Sequence, residues 1–172
     1  EKEVFRKLEA IRGLQKHQLL TFFESRQADL ELIAQEAKLH ALVKLLFAYH
    51  KKNNVAGNDS FHTNSLEYRQ LYKKIRPLFQ RFVPKYNYHD FFLICAKHGH
   101  VMFTNTKEED LGSNLRTGPF KSSGLAKLWT KILKSGKAAF QDYSYYAPSK
   151  APAAFVGIPI KNDKGQVIVV AA

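Results

Sequence analysis

The chain has 172 residues and is 45% hydrophobic, which suits a compact domain with a buried core and excludes a disordered chain. Its 27 Lys and Arg against 15 Asp and Glu give a formal net charge of +12, so nucleic acid and anionic membrane surfaces are candidate partners. The single cysteine, Cys95, excludes an intrachain disulfide and a thiolate metal cluster, and its apolar setting FFLICA predicts a buried thiol.

The first fifty residues predict one long helix from residue 2 to about residue 51. Apolar residues recur at steps of three and four, beginning with Val4, Leu8 and Ile11. A helix of about fifty residues is about 75 Å long at 1.5 Å per residue, which a small globule cannot cover. We therefore expect this helix to pack against a second copy of itself or against a partner helix.

A polar loop over residues 51–60 precedes a second helix, which is predicted to begin at Ser65 and to end at Pro84. From about residue 87 the pattern indicates five strands and a short helix closed by Gly136. The strands are DFFLICA, HVMFTN, KAAFQDYSYY, APAAFVGIPIK and QVIVVAA, and the helix is LAKLWTKILKSG.

The predicted fold class is α+β, with a long N-terminal helix and a second helix packed on one face of a five-stranded antiparallel sheet. The segment 105–135 is expected to cover the other face. Residues 1–85 form the helical segment, and residues 86–172 form the sheet domain. Both ends of the sequence fall inside predicted elements, so we expect a piece of a longer protein.

Sequence motifs typical of enzymes are lacking. The chain has no G-x-S-x-G, no phosphate-binding glycine loop, no H-E-x-x-H and no C-x-x-C. The acidic run at 108–110 lies directly before Leu111 and Gly112, and we interpret it as a solvated turn. We expect no catalytic residues and no cofactor.

Two histidines, His98 and His100, flank Gly99 at a predicted hairpin tip. They could bind a metal ion together, with His62 or His89 as a third ligand. Since no carboxylate lies nearby in the sequence, we expect no metal site.

Aromatic residues next to basic ones occur in FQRF at 79–82 and in KYNY at 85–88. A protein that binds single-stranded nucleic acid stacks bases on exposed aromatic rings along a basic groove. Here the rings have helical spacing or lie next to strand starts, which favours core packing. We expect no nucleic-acid partner.

The segment FQDYSYY at 140–146 contains the candidate ligand-binding site. Alternate side chains of a strand share a face, so an inward Phe140 predicts an inward Asp142. A carboxylate in an apolar setting needs a partner, which is either a structural donor such as Tyr146 or a ligand N–H or cation. The tyrosine hydroxyls and the loop 148–152 favour a pocket with an aromatic lining.

Several segments, in this order, resemble the extracytoplasmic sensor domain of bacterial chemoreceptors, the methyl-accepting chemotaxis proteins. They are YNYHDFFLI, GHVMFT, KEEDLGSNL, TGPFKSSGLA, FQDY, YAPS and PAAF, between residues 86 and 155. The resemblance spans about residues 60–172, and residues 11–35 are similar to the membrane-proximal helix of the same receptors. It implies a PAS-like sheet of the single Cache type.

The resemblance also implies the function and the site. It implies a periplasmic module of an inner-membrane receptor, anchored by flanking segments absent from this chain, that forms a homodimer through the N-terminal helix. A small molecule would bind between the sheet and its covering segment and shift a helix. By position, the implied ligand-binding residues are Asp142 as the polar anchor, Tyr143 and Tyr146 as hydroxyl groups, Phe103, Phe120 and Trp129 as lining, and Arg116 and Lys121 as partners of a carboxylate.

The expected ligand is a small polar molecule, either a short carboxylate or a urea-like amide. The turn KHGH at 97–100 stands where these receptors often have an acidic turn, and Phe120 stands where they often have tyrosine. The signature of amino-acid-binding receptors is missing, so we expect no amino acid ligand. The same ectodomain could belong to a sensor histidine kinase or to a cyclic-dinucleotide enzyme. The alternative from a different functional class is a structural or protein-interaction module that binds no ligand.

Overall fold

The computed structural model describes residues 2–53 and 55–172. Glu1 and Asn54, both in the predicted segment 1–85, lie outside the described residues, and Asn54 is also part of the predicted loop 51–60. The helices and strands are α1 Lys2–Ala34, α2 Ala37–Lys52, α3 Leu66–Lys85, β1 Phe92–Cys95, β2 Val101–Thr104, α4 Gly124–Ser135, β3 Ala139–Tyr146, β4 Ala151–Lys161 and β5 Val167–Ala171. The predicted α+β fold is confirmed.

The prediction of a single N-terminal helix is wrong, because the helix breaks between α1 and α2. Glu36 has φ −63° and ψ 119°, which is an extended conformation. The break lets the last third of α1 pack on β4 while α2 packs on α3. α2 buries Leu39, Val43 and Leu46 in the core that it shares with α3.

The five strands form one antiparallel sheet in the order β2-β1-β5-β4-β3. On one face lies the α2–α3 core, which includes Leu46, Phe79 and Phe103. On the other face lies the α4 core, which includes Trp129 and Val170. Since both faces are covered by helices, the central strands β1 and β5 are apolar along their whole length.

Local signals account for the beginnings and ends of these helices. The Ser65 and Ser123 side chains cap α3 and α4 by accepting hydrogen bonds from the N–H groups of Tyr68 and Ala126. Gly136 ends α4 in the left-handed conformation, with φ 63°. Cys95 is buried in β1, as its apolar setting predicted.

Residues 2–18 of α1 extend away from the sheet, and every described residue from 2 to 22 is exposed. Six large apolar side chains there, each at least half exposed, fall within about 140° of the helix circumference at 3.6 residues per turn. We call this set the α1 stripe; it consists of Val4, Leu8, Ile11, Leu14, Leu19 and Phe22. Within residues 2–53 and 55–172, no helix combines the length and the apolar character needed to cross a membrane.

Candidate functional site

A cavity of about 520 Å³ lies between residues 19–30 of α1 and the end of the sheet formed by β3 and β4. We call it the α1–β4 cavity. Its volume falls in the range of sites for small molecules. The side chains that α1 contributes include Phe22, Phe23 and Arg26, and the aromatic residues that face them include Tyr88, Phe92, Phe140, Tyr143, Tyr146 and Phe155.

Arg26 is the charged side chain that α1 contributes to this cavity. Its guanidinium lies against the rings of Phe22 and Tyr88, with its carbon 5.1 Å and 5.4 Å from their centroids. Nη1 donates a hydrogen bond to the carbonyl oxygen of Tyr86 at 2.6 Å and lies 3.5 Å from Asp29 Oδ2. Nε is buried without a partner among the described residues. A ligand oxygen that accepted from this N–H would remove an unsatisfied donor, which costs about 1–3 kcal/mol.

A buried carboxylate, that of Asp110, lies behind the cavity wall. The ring of Tyr146 lines the cavity, and its hydroxyl donates a hydrogen bond to Asp110 Oδ2 at 2.6 Å. Burial raises the pKa of Asp110 to about 6, the hydrogen bond from Tyr146 lowers it, and the charges of Asp90 and Glu108 raise it. Oδ1 has no hydrogen-bond partner among the described residues.

The interpretation of 108–110 as a solvated turn is therefore wrong for Asp110, which is fully buried. The turn folds inward because Gly112 adopts φ 84° and its carbonyl oxygen accepts a hydrogen bond from the N–H of Phe61 at 2.7 Å. A Cβ atom on Gly112 would lie 2.8 Å from the carbonyl oxygen of Phe61, so only glycine allows this close packing.

The variant Asp110→Asn should change the pH dependence of stability. Folded Asp110 keeps its proton up to a pKa of about 6, whereas the unfolded residue loses it near 3.8. The stability due to this proton is present below about pH 3.8 and is lost as the pH rises through 6. Asparagine does not titrate, so its free energy of unfolding lacks this pH dependence. As the pH rises from 3.8 to 6, the variant should therefore become more stable relative to the wild type, by on the order of 1.4 kcal/mol per pH unit.

Urea unfolding of both proteins between pH 4 and pH 7.5 measures this difference. Histidines titrate in the same window, but their contribution cancels when the two proteins are compared in the same buffers. Parallel stability curves would show that Asp110 has an ordinary pKa.

Asp142, the predicted anchor of the site, does not face inward, and this prediction is wrong. Its side chain is exposed, and Oδ1 accepts a hydrogen bond from the N–H of Tyr143 at 2.7 Å. The pairing of β3 with β4 shifts register between Gln141 and Ser144. This irregularity breaks the alternation that was extended from Phe140, which does face α1 and lies with its ring centroid 3.8 Å from that of Phe23.

Two other predicted site residues, Tyr143 and Tyr146, do line the α1–β4 cavity. Tyr143 is 71% exposed at its rim, whereas Tyr146 is buried. The role predicted for Asp142, a buried carboxylate at the cavity, is thus taken by Asp110, which is hydrogen-bonded to the lining residue Tyr146. The sequence contains no signal that separates Asp110 from its acidic neighbours. Arg26 carries a weak signal, since it follows two aromatic residues on a helix.

The remaining predicted site residues do not line the α1–β4 cavity, although Arg116 and Trp129 do meet, with the guanidinium carbon 5.8 Å from the ring centroid. Phe103 lies in the α2–α3 core, on the opposite face of the sheet from Trp129. Trp129 donates a hydrogen bond from Nε1 to the carbonyl oxygen of Cys95 at 3.2 Å. Arg116 is exposed and donates to the carbonyl oxygen of Lys97. Two more residues complete this set: Phe120, half-buried against the α4 core, and Lys121, which is exposed.

The position expected for the site, between the sheet and segment 105–135, is occupied by the α4 core. Leu125, Leu128 and Ile132 are fully buried there. Among the described residues, those that line the α1–β4 cavity come from α1, from 86–92 and from the second half of the sheet domain, and none comes from 105–135. The cavity therefore lies on the side of α1, not beneath the covering segment.

Comparison with known proteins assigns no function. No protein-family model matches the chain, and no curated protein matches it. A fold by itself does not determine a function, since the same fold carries many unrelated ones. The function therefore has to follow from the cavity, from the residues that line it and from the helix that forms one of its walls.

Proposed function

We propose that this chain is the ligand-binding sensor domain of a transmembrane chemoreceptor, which responds to a small polar molecule by a conformational change in chemotaxis. The α1–β4 cavity carries this proposal, because its wall is shared between the sheet and a helix that extends away from it. A ligand that contacts both parts binds more tightly to one arrangement of α1 than to others. Ligand binding then shifts the population towards that arrangement.

The lining of the cavity favours a short carboxylate as the ligand. Arg26 supplies a cation with an unpaired Nε–H, and guanidinium groups bind carboxylates through two parallel hydrogen bonds. The rings of Phe22 and Tyr88 lie against the guanidinium and hold it at the cavity. A urea-like amide shares the carbonyl acceptor but not the negative charge, so the two ligand classes differ in how strongly they depend on the charge of Arg26.

The proposed receptor is a homodimer that forms through α1. The α1 stripe presents six large apolar side chains that are each at least half exposed, and a contiguous exposed apolar surface marks an interaction site. A second copy of the stripe fits this surface, because two amphipathic helices bury their apolar faces against each other. Flanking segments outside this chain would anchor the dimer in the inner membrane, with this domain in the periplasm.

Phe22 connects the two surfaces. It belongs to the α1 stripe, and it also lines the α1–β4 cavity. Next to it, Phe23 packs on Phe140 of β3. A ligand that moves these rings therefore moves the end of the dimer surface. This physical connection would transmit ligand binding along α1.

A ligand screen that follows thermal unfolding tests this function. Among short carboxylates and urea-like amides, at least one compound should stabilise the domain. The expected gain is about 2.7 kcal/mol when the ligand is present at 100 times its dissociation constant. Arg26→Gln should reduce the affinity for a carboxylate at least tenfold, because the variant keeps most of the side chain but loses its charge.

Two variants serve as matched controls in this screen. Arg6→Gln removes the same charge from an exposed position of α1 outside the cavity, and Asp142→Ala removes the exposed carboxylate of β3. Both should keep the affinity of the wild type. A library without a stabilising compound would favour a ligand-free interaction module. Unchanged affinity in Arg26→Gln would exclude Arg26 from the site.

A further inference from the structure

Three histidines from distant parts of the sequence meet outside the α1–β4 cavity. His50 lies on α2, while His98 and His100 lie on the turn between β1 and β2. His50 Nε2 is 3.1 Å from His100 Nδ1 and 3.4 Å from His98 Nδ1. We propose that these three imidazoles form a binding site for a divalent transition-metal ion of the zinc type.

The distances between the nitrogens fit a single tetrahedral ion. Two nitrogens that each lie 2.0–2.1 Å from a tetrahedral zinc are about 3.3 Å apart. The two measured separations from His50 Nε2 lie on either side of this value. One nitrogen of each ring lies within 4.8 Å of the other two. A small movement of the His98 ring, which is half-exposed on the turn, would bring all three to bonding distance.

The tautomer of His100 also favours metal binding. His100 Nε2 lies 2.8 Å from the carbonyl oxygen of Asp59, which can only accept a hydrogen bond. The proton is therefore on Nε2, and Nδ1 directs its lone pair towards His50. Histidines that bind metals generally donate their other N–H to a carbonyl or carboxylate oxygen in this way. Burial lowers the pKa of all three rings.

The backbone around the cluster holds the three rings together. Gly99 adopts φ 81°, which makes the tight turn between the two histidines that flank it. A Cβ atom on Gly57 would lie 3.2 Å from Cδ2 of His98, so the loop after α2 packs directly on this ring. The loop thus supplies both the cover of His98 and, through Asp59, the acceptor that orients His100.

The chemistry of the site indicates which ion it binds. Imidazole nitrogens suit Zn²⁺, Cu²⁺ and Ni²⁺, whereas Mg²⁺ and Ca²⁺ require oxygen ligands. The cluster contains three histidines and no carboxylate among the described residues, so the fourth position is left for water. A bound ion would be coordinated by α2 and by the β1–β2 turn, and would therefore cross-link the helical segment to the sheet.

Neither His62 nor His89, the partners considered from the sequence, takes part. His89 Nε2 pairs with Glu108 at 3.0 Å, and His62 is exposed. The third imidazole is His50, which lies about fifty positions before the hairpin. The sequence alone could not predict this third ligand, because the approach of α2 to the turn depends on the packed fold.

A calorimetric titration of chelator-treated protein with ZnCl₂ tests the site. The absorption spectrum of the Co²⁺-substituted protein reports the coordination number. We expect one ion per chain and a higher unfolding temperature with Zn²⁺ but not with Mg²⁺. His98→Ala should weaken Zn²⁺ binding at least tenfold. His17→Ala, which removes an exposed histidine of α1, should leave binding unchanged.

The same measurements can overturn the proposal. Absence of Zn²⁺ binding, or wild-type affinity in His98→Ala, would place no ion at this cluster. His50→Ala provides a second test on a different element, in case the turn misfolds in the first variant. Arg26→Gln should bind Zn²⁺ as the wild type does, so the result is independent of the ligand proposed for the α1–β4 cavity.

Discussion

Phe103→Ala is expected to lower the free energy of unfolding by about 3–5 kcal/mol, the usual cost of removing a buried phenylalanine ring. Phe103 is 0% exposed, and its ring centroid lies 5.1 Å from those of Tyr72 and Phe79. These neighbours belong to α3, which is anchored to β2 by hydrogen bonds from Tyr72 and Tyr68. The helix therefore cannot move in freely to fill the space that the ring leaves.

Urea unfolding at pH 7 measures this loss, and Phe120→Ala is the matched control. Phe120 was implied as a lining residue in the same way, but it is only half-buried against the α4 core. Its truncation should therefore cost less than that of Phe103. A small loss for Phe103→Ala, together with weaker ligand binding, would instead support the ligand-lining role that the resemblance implied for this residue.

Ile11→Glu is expected to prevent dimerisation through α1. Ile11 is 52% exposed and lies in the middle of the α1 stripe. Burying the exposed half of an isoleucine contributes about 0.8–1.5 kcal/mol, and a symmetric dimer contains two copies, so the loss is about 1.5–3 kcal/mol. At about 1.4 kcal/mol per factor of ten, the dimer dissociation constant should rise by roughly one to two orders of magnitude.

Sedimentation equilibrium of both proteins over a range of concentrations measures this change. Glu9→Lys is the control, because Glu9 is exposed on a different face of the same helix. The substitution changes the charge of α1 without changing a residue of the stripe. This variant should dimerise much as the wild type does. Equal association of the wild type and Ile11→Glu would show that the stripe is not the dimer surface. The chain would then expose it to a different partner.

The dimer surface and the ligand cavity both involve α1, so ligand binding and dimerisation should influence each other. The stripe and the α1–β4 cavity meet at Leu19 and Phe22, which belong to both surfaces. If ligand binding shifts α1, the dimer dissociation constant must change with ligand, and the ligand affinity must change with dimerisation by the same factor. Measuring both in one set of conditions would quantify the coupling.

The sequence by itself determined the elements whose signals are local. Alternating and continuous apolar runs predicted the five strands, and between the last two of them Gly165 adopts φ 74° in a tight turn. Ser65 and Gly136 marked helix ends where the structure has them. These features depend on backbone preferences and on the period of burial, both of which act within a few residues.

The tertiary structure alone decided the break at Glu36 and the identity of the buried carboxylate. The apolar period runs on across the break, so nothing local distinguishes one helix from two. A register shift in β3 turned Asp142 to solvent, and the packing of Gly112 on Phe61 turned Asp110 inward. Arg26 and His50 reach their sites only because α1 and α2 pack where they do. Such placements depend on contacts between residues far apart in the chain, which the period of a single segment does not encode.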